Sequence, residues 1–108
     1  MYSYSGKSLE NLLECHEDLQ RVFSEVIKHM DCSVIEGYRD EATQNHYFNT
    51  GKSKLRYPNS EHNQKPSLAI DVVPYPIDWN DRERFMRFGH FVLGIAAGMG
   101  IKIRWGFD

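Results

Sequence analysis

Three residues of this sequence pair a reactive side chain with a position that needs explaining: Asp71, His62 and Arg39. Asp71 interrupts the apolar run Leu68-Ala69-Ile70-Asp71-Val72-Val73-Pro74. A carboxylate inside a buried strand is costly unless it is partnered. Either the strand is an edge and Asp71 accepts bonds from a neighbouring turn, or Asp71 is a metal ligand or catalytic carboxylate. His62 stands in Ser60-Glu61-His62-Asn63, nine positions before Asp71, with Pro66 between them to turn the chain. A loop histidine and a strand aspartate that converge form a mixed nitrogen and oxygen donor set, which suits zinc. An isolated loop histidine is ordinarily just solvated, and an open catalytic zinc site needs a third protein ligand. Arg39 directly follows Gly37-Tyr38 at a strand end. Its ordinary role is a surface cation paired with Glu36 or Asp40. Its chemical role is a fork-shaped donor aimed at a substrate carboxylate or a developing oxyanion.

The remaining histidines carry less. His16 and His29 fall on a first helix, His46 on a second and His90 on a third, as helix-surface or helix-packing residues. Tyr2, Tyr4, Tyr47, Phe48 and Tyr75 read as core and groove lining rather than a base-stacking platform, because no basic stripe accompanies them.

The elements that must position these residues follow from periodicity. Leu9, Leu12, Leu19, Phe23, Val26 and Met30 recur at helical spacing, so Leu9 to Met30 predicts one long amphipathic helix with Ser8 as its cap. The β-branched segment from Cys32 predicts a strand ending near Gly37. Asp40 caps a second helix, Glu41 to Asn49, which Gly51 terminates. Lys52 to Lys65, rich in Gly, Pro, Asn and Ser, reads as a loop, and Leu68 to Pro74 as a buried strand. Asn80-Asp81-Arg82-Glu83 resembles a capping box before a third helix carrying Phe85, Phe88, Val92, Ile95 and Met99, ended by Gly100. Ile101 to Trp105 alternates at period two, the mark of a half-buried strand. The order α-β-α-loop-β-α-β predicts an α+β domain: a small antiparallel or mixed sheet packed against about three helices.

Composition sets the outer bounds. The 108 residues make a single domain, 1–108, with one core. Thirteen Lys and Arg against fifteen Asp and Glu give a net charge of −2, which argues against sequence-independent nucleic-acid binding. No apolar run reaches the length of a membrane span, and the polar N-terminus has no signal-peptide core, so a cytoplasmic protein is expected. Two cysteines are too few for a disulfide framework and read as free thiols.

Four segments together resemble a known family. They are Gly37-Tyr38-Arg39-Asp40-Glu41-Ala42-Thr43-Gln44, then Gly51-Lys52-Ser53-Lys54, then Ser60 through Tyr75, then Met99-Gly100-Ile101-Lys102-Ile103-Arg104-Trp105-Gly106. In order and spacing they are similar to the zinc D-Ala-D-Ala carboxypeptidase and L-alanyl-D-glutamate peptidase family, whose phage members serve as endolysins. The Ser-x-His…Ala-x-Asp element is the most specific part, and its Pro66-Ser67 insertion resembles the phage branch.

The resemblance implies a fold of a small antiparallel sheet flanked by helices, as in the hedgehog and D-Ala-D-Ala-peptidase group. It implies His62 and Asp71 as zinc ligands, Arg39 as the group that stabilises the substrate oxyanion, and Ser60 as a residue shaping the substrate site. The implied partner is a peptidoglycan stem peptide, and the implied activity is hydrolysis of a peptide bond in the cell wall, from the host cytoplasm outward. In the family, a catalytic acid and a third zinc ligand follow the Trp-Gly strand. Here Trp105-Gly106 is followed by Phe107-Asp108, and no residue matches either role. The expectation is therefore a peptidase-like domain whose zinc site another segment or partner chain completes. The alternative is a catalytically inactive peptidoglycan-binding or structural module that keeps the fold.

Overall fold

A computed structural model of the chain describes residues 2–106; Met1, Phe107 and Asp108, where the sequence ends, lie outside the described residues. The expected long first helix is two helices, α1 (Gly6–Leu13) and α2 (Glu17–Val26). The break has a tertiary cause. Between the helices the backbone turns aside to pair with Ser67: His16 N donates to Ser67 O at 2.8 Å, and Ser67 N donates to Glu14 O at 2.9 Å. His16 Nδ1 then accepts from Asp18 N and caps α2. Ser8, expected as a cap, lies inside α1, and its hydroxyl accepts from Val34 N.

β1 (Cys32–Glu36) pairs antiparallel with β2 (Asp71–Pro74) in a two-stranded sheet. Cys32, Ser33 and Val34 face Pro74, Val73 and Val72 in regular register. A bulge at Ile35 then shifts the ladder by one residue, so Glu36 and not Ile35 lies opposite Asp71. Residues directly opposite across a ladder share one face. The bulge thus brings two carboxylates together at one end of the sheet.

α3 (Glu41–Asn49) has the expected bounds, with Asp40 accepting from Thr43 N as its cap. α4 (Arg82–Gly98) is capped by Asp81, whose Oδ1 accepts from Arg84 N, rather than by the expected Asn80. The core lies between the sheet, α2 and α4. Val22, Phe23 and Val26 of α2 meet Phe88, Val92 and Ala96 of α4 over Val34 and Val72. Cys15 and Cys32 are free and buried, and burial pushes the Cys15 thiol up to about 12 and the Cys32 thiol up to about 11. Among the described residues no helix is long and apolar enough to cross a membrane.

The expected third strand is not formed: Ile101 to Trp105 pairs with no strand among the described residues. Its alternation is nevertheless visible, since Ile101, Ile103 and Trp105 pack on the core while Lys102 and Arg104 are exposed. Period two here reports one-sided burial; a ladder partner is a separate matter.

Trp105 lies against Gly89 of α4 so closely that a Cβ there would fall 2.2 Å from its indole nitrogen. Gly89→Ala is therefore expected to displace Trp105 and destabilise the fold by about 1–3 kcal/mol. Gly94, on the same helix, has nothing within 4 Å of an added Cβ. Gly94→Ala is expected to stabilise by about 0.5–1 kcal/mol, through helix propensity alone. Urea unfolding of the two variants checks both signs.

Candidate metal and catalytic site

The site forms where the end of β1, the loop before β2 and the start of α3 meet. Gly37 makes this junction possible. A Cβ at Gly37 would stand 2.2 Å from Asn11 O, so only glycine lets the strand end lie against the last turn of α1. Asn11 Nδ2 holds the same junction by donating to Val34 O at 2.9 Å. The Gly37 carbonyl then accepts from His62 Nδ1 at 2.8 Å and from Ser67 Oγ at 3.2 Å.

His62 sits on a single 3-10 turn, Glu61–Asn63, closed by a capping box. Ser60 Oγ accepts from His62 N at 3.2 Å, and Asn63 Oδ1 accepts from Ser60 N at 3.0 Å. The turn is tied to the neighbouring arginine by Arg39 N donating to His62 O and Asn63 Nδ2 donating to Arg39 O. Ser60, expected beside the substrate, is buried, and its hydroxyl oxygen holds the histidine turn.

A carbonyl oxygen only accepts, so the Nδ1 of His62 carries the proton and Nε2 is left for other partners. Nε2 faces Asp71 Oδ1 at 3.5 Å. Burial works against the charged imidazole. The Asp71 carboxylate and the Gly37 carbonyl outweigh it, with Arg39 opposing, so the His62 pKa lies above its ordinary value. A proton and a cation therefore compete for the same nitrogen.

Arg39 is buried, at 8% exposed, and its guanidinium donates from Nε at 2.8 Å and from Nη2 at 2.5 Å to one oxygen, Glu36 Oε1. Nη2 also lies 3.6 Å from Asp71 Oδ2, and the Tyr47 ring lies 4.7 Å from the guanidinium carbon. Arg39 pairs with Glu36, as the ordinary reading of the sequence has it, but it is buried rather than at the surface and lies beside Asp71.

The fold brings together all three residues first singled out, Arg39, His62 and Asp71, and adds one. Glu36, His62 and Asp71 each offer a ligand atom, and these atoms all lie within 4.8 Å of one another. Glu36 was weighed in the sequence only as a partner for Arg39, because nothing in a five-residue strand announces the bulge that turns it toward Asp71. Gln44 and Asn63 were also missed as members of the site. Each stands within the segments that carry the family resemblance, which was the available signal. The histidines set aside stay aside: His29, His46 and His90 are exposed, and His16 caps α2.

Comparison with known proteins identifies the family of the chain. The family model described as phage L-alanyl-D-glutamate peptidase matches residues 1–108. The L-alanyl-D-glutamate peptidase of Escherichia phage T5 is 29% identical over 112 residues, spanning 99% of this chain and 81% of the relative. The crystal structure of the Serratia marcescens L-Ala D-Glu endopeptidase ChiX superimposes with a TM-score of 0.81 at 30% identity, covering 95% of this chain and 77% of that one. Of the two activities that the sequence resemblance left open, these matches carry the name of one. Matched by the family model from end to end, and sharing the fold of a solved L-Ala D-Glu endopeptidase, the chain belongs to the phage L-alanyl-D-glutamate peptidase family.

Proposed function

We propose that the chain is a zinc-dependent peptidase that cleaves the L-alanyl–D-glutamate bond in peptidoglycan stem peptides, the wall-lysing activity of an endolysin. Besides the family, the observation that carries this reading is the donor set. His62 has its Nδ1 proton engaged by the Gly37 carbonyl and its Nε2 turned toward Asp71. Metal-bound histidines are held in this way, by a second partner that fixes the ring and its tautomer. One imidazole and two carboxylates, from Asp71 and Glu36, fit zinc by donor type and charge. His62 and Asp71 would hold the ion; Glu36 stands beside them with its oxygens engaged by Arg39 and Tyr47.

Bound there, zinc would lower the pKa of a water and polarise the scissile carbonyl. Around that position the described residues place an anion-stabilising donor and the groups that hold it. Arg39 has an Nη2 edge beside Asp71, where an N–H donor can meet a carbonyl oxygen as negative charge grows on it. Glu36 balances the buried guanidinium and holds its Nε–Nη2 edge. Tyr47 donates to the other Glu36 oxygen at 3.3 Å and lies under the guanidinium. Burial of Arg39 and His62 keeps water from screening these charges.

The test is release of free amino groups from purified peptidoglycan. Release by the zinc-loaded protein, loss on chelation and recovery on adding zinc are expected. Release that is indifferent to the chelator would contradict zinc dependence.

A further inference from the structure

One side chain beside the site is more constrained than its place on a helix requires. Gln44 of α3 is wholly buried. Its amide is saturated. Oε1 accepts from Arg39 Nη1 at 2.9 Å and from Asn63 Nδ2 at 3.2 Å. Nε2 donates to Leu55 O at 2.6 Å and to Ser53 Oγ at 3.1 Å. A primary amide has two donor hydrogens and two acceptor lone pairs, so no capacity remains.

The Arg39 guanidinium shows what the arrangement does. Both of its donors to Glu36 converge on a single oxygen, Oε1. One acceptor atom defines a pivot and does not fix an orientation in the plane. The bond from Nη1 to Gln44 Oε1 is the second fixed point. With both in place, the Nη2 edge is held toward Asp71. The other end of the same amide fastens residues 53–55 to this geometry.

We infer that Gln44 is a positioning residue for Arg39: it clamps Nη1 so that the Nη2 edge stays aimed at the reacting carbonyl. The kinetic part of this inference rests on the peptidase reading above; the clamp itself does not. Two substitutions separate the clamp from simple anchoring of the loop. Gln44→Glu keeps an acceptor for Arg39 and loses the donors to Leu55 and Ser53. Gln44→Met loses both ends at similar size.

Gln44→Met is expected to lower kcat about 10-fold or more with KM changed less than about twofold, and Gln44→Glu to retain most of the activity. In an Arg39→Lys background the same Gln44→Met change is expected to cost less than about twofold, because its route of action is already gone. The activity-free readout is nitrogen-15 NMR of the arginine side chain in the full chain. Resolved, slowly exchanging Nη–H signals from Arg39 are expected in the parent and in Gln44→Glu, and their loss in Gln44→Met. Unchanged Nη–H signals in Gln44→Met, or fully additive kinetic losses in the Arg39→Lys background, would overturn the proposal. A parent protein that releases no amines would count against the peptidase reading, and the NMR comparison would still decide the clamp.

Discussion

Replacing His62 by alanine is expected to lower zinc affinity at least ~100-fold, beyond the 10- to 100-fold typical of losing only an outer partner of a metal ligand. His62 supplies the single nitrogen donor of the cluster, and its ring is already oriented by the Gly37 carbonyl. Without it, two carboxylates remain beside a guanidinium that neutralises one of them. The bonds that hold the turn, Arg39 N to His62 O and His62 N to Ser60 Oγ, do not involve the imidazole, so the fold is expected to persist. Competition against a chromophoric chelator measures the affinity, and circular dichroism checks the fold. Wild-type affinity in a folded His62→Ala protein would place the zinc somewhere else.

Arg39→Lys is expected to lower kcat by ~10²–10³, the loss typical of removing one oxyanion donor, while the protein stays folded. A lysine ammonium can still balance Glu36, but it lacks the planar fork that grips Glu36 Oε1 and Gln44 Oε1 together. The conservative change matters. Arg39→Ala would leave the half-buried Glu36 carboxylate without its cation, and the lost stability would then obscure the chemistry. Steady-state kinetics with a urea titration separates the two effects. A folded Arg39→Lys protein with kcat within twofold of the parent would remove Arg39 from the reaction.

The parts of this structure that were legible in the sequence are those encoded locally. Asp40 and the helix behind it were readable because a cap and its helix are contiguous. His62, Asp71 and Arg39 were readable because a carboxylate in an apolar run, a histidine before a turn and an arginine at a strand end are each out of place, although the strand expected from Leu68 begins only at Asp71. Their convergence needs the β1–β2 pairing, which sets Asp71 beside the end of β1, and the bonds that tie the His62 turn to Gly37 and Arg39. What stayed hidden depends on distant pairing. The helical periodicity through Cys15 is real, but the backbone there bonds to Ser67, more than fifty residues away in sequence, and the helix is cut. Ile35 has the β-branched chemistry of an ordinary strand residue, yet it is the bulge that sets Glu36 opposite Asp71. Ile101 to Trp105 has a strand's alternation without a strand's partner among the described residues. Gln44 was invisible for a related reason: a glutamine on a short helix is ordinary until its four bonding positions are seen to be filled by four different residues.

The most direct test of the central claim is mass spectrometry of purified peptidoglycan fragments after treatment with the zinc-loaded protein, with the folded His62→Ala protein as control. The account predicts stem peptides cut between L-alanine and D-glutamate, with new amino termini on D-glutamate, and no such products from the control. Intact stem peptides after treatment with a folded protein carrying one bound zinc would contradict it.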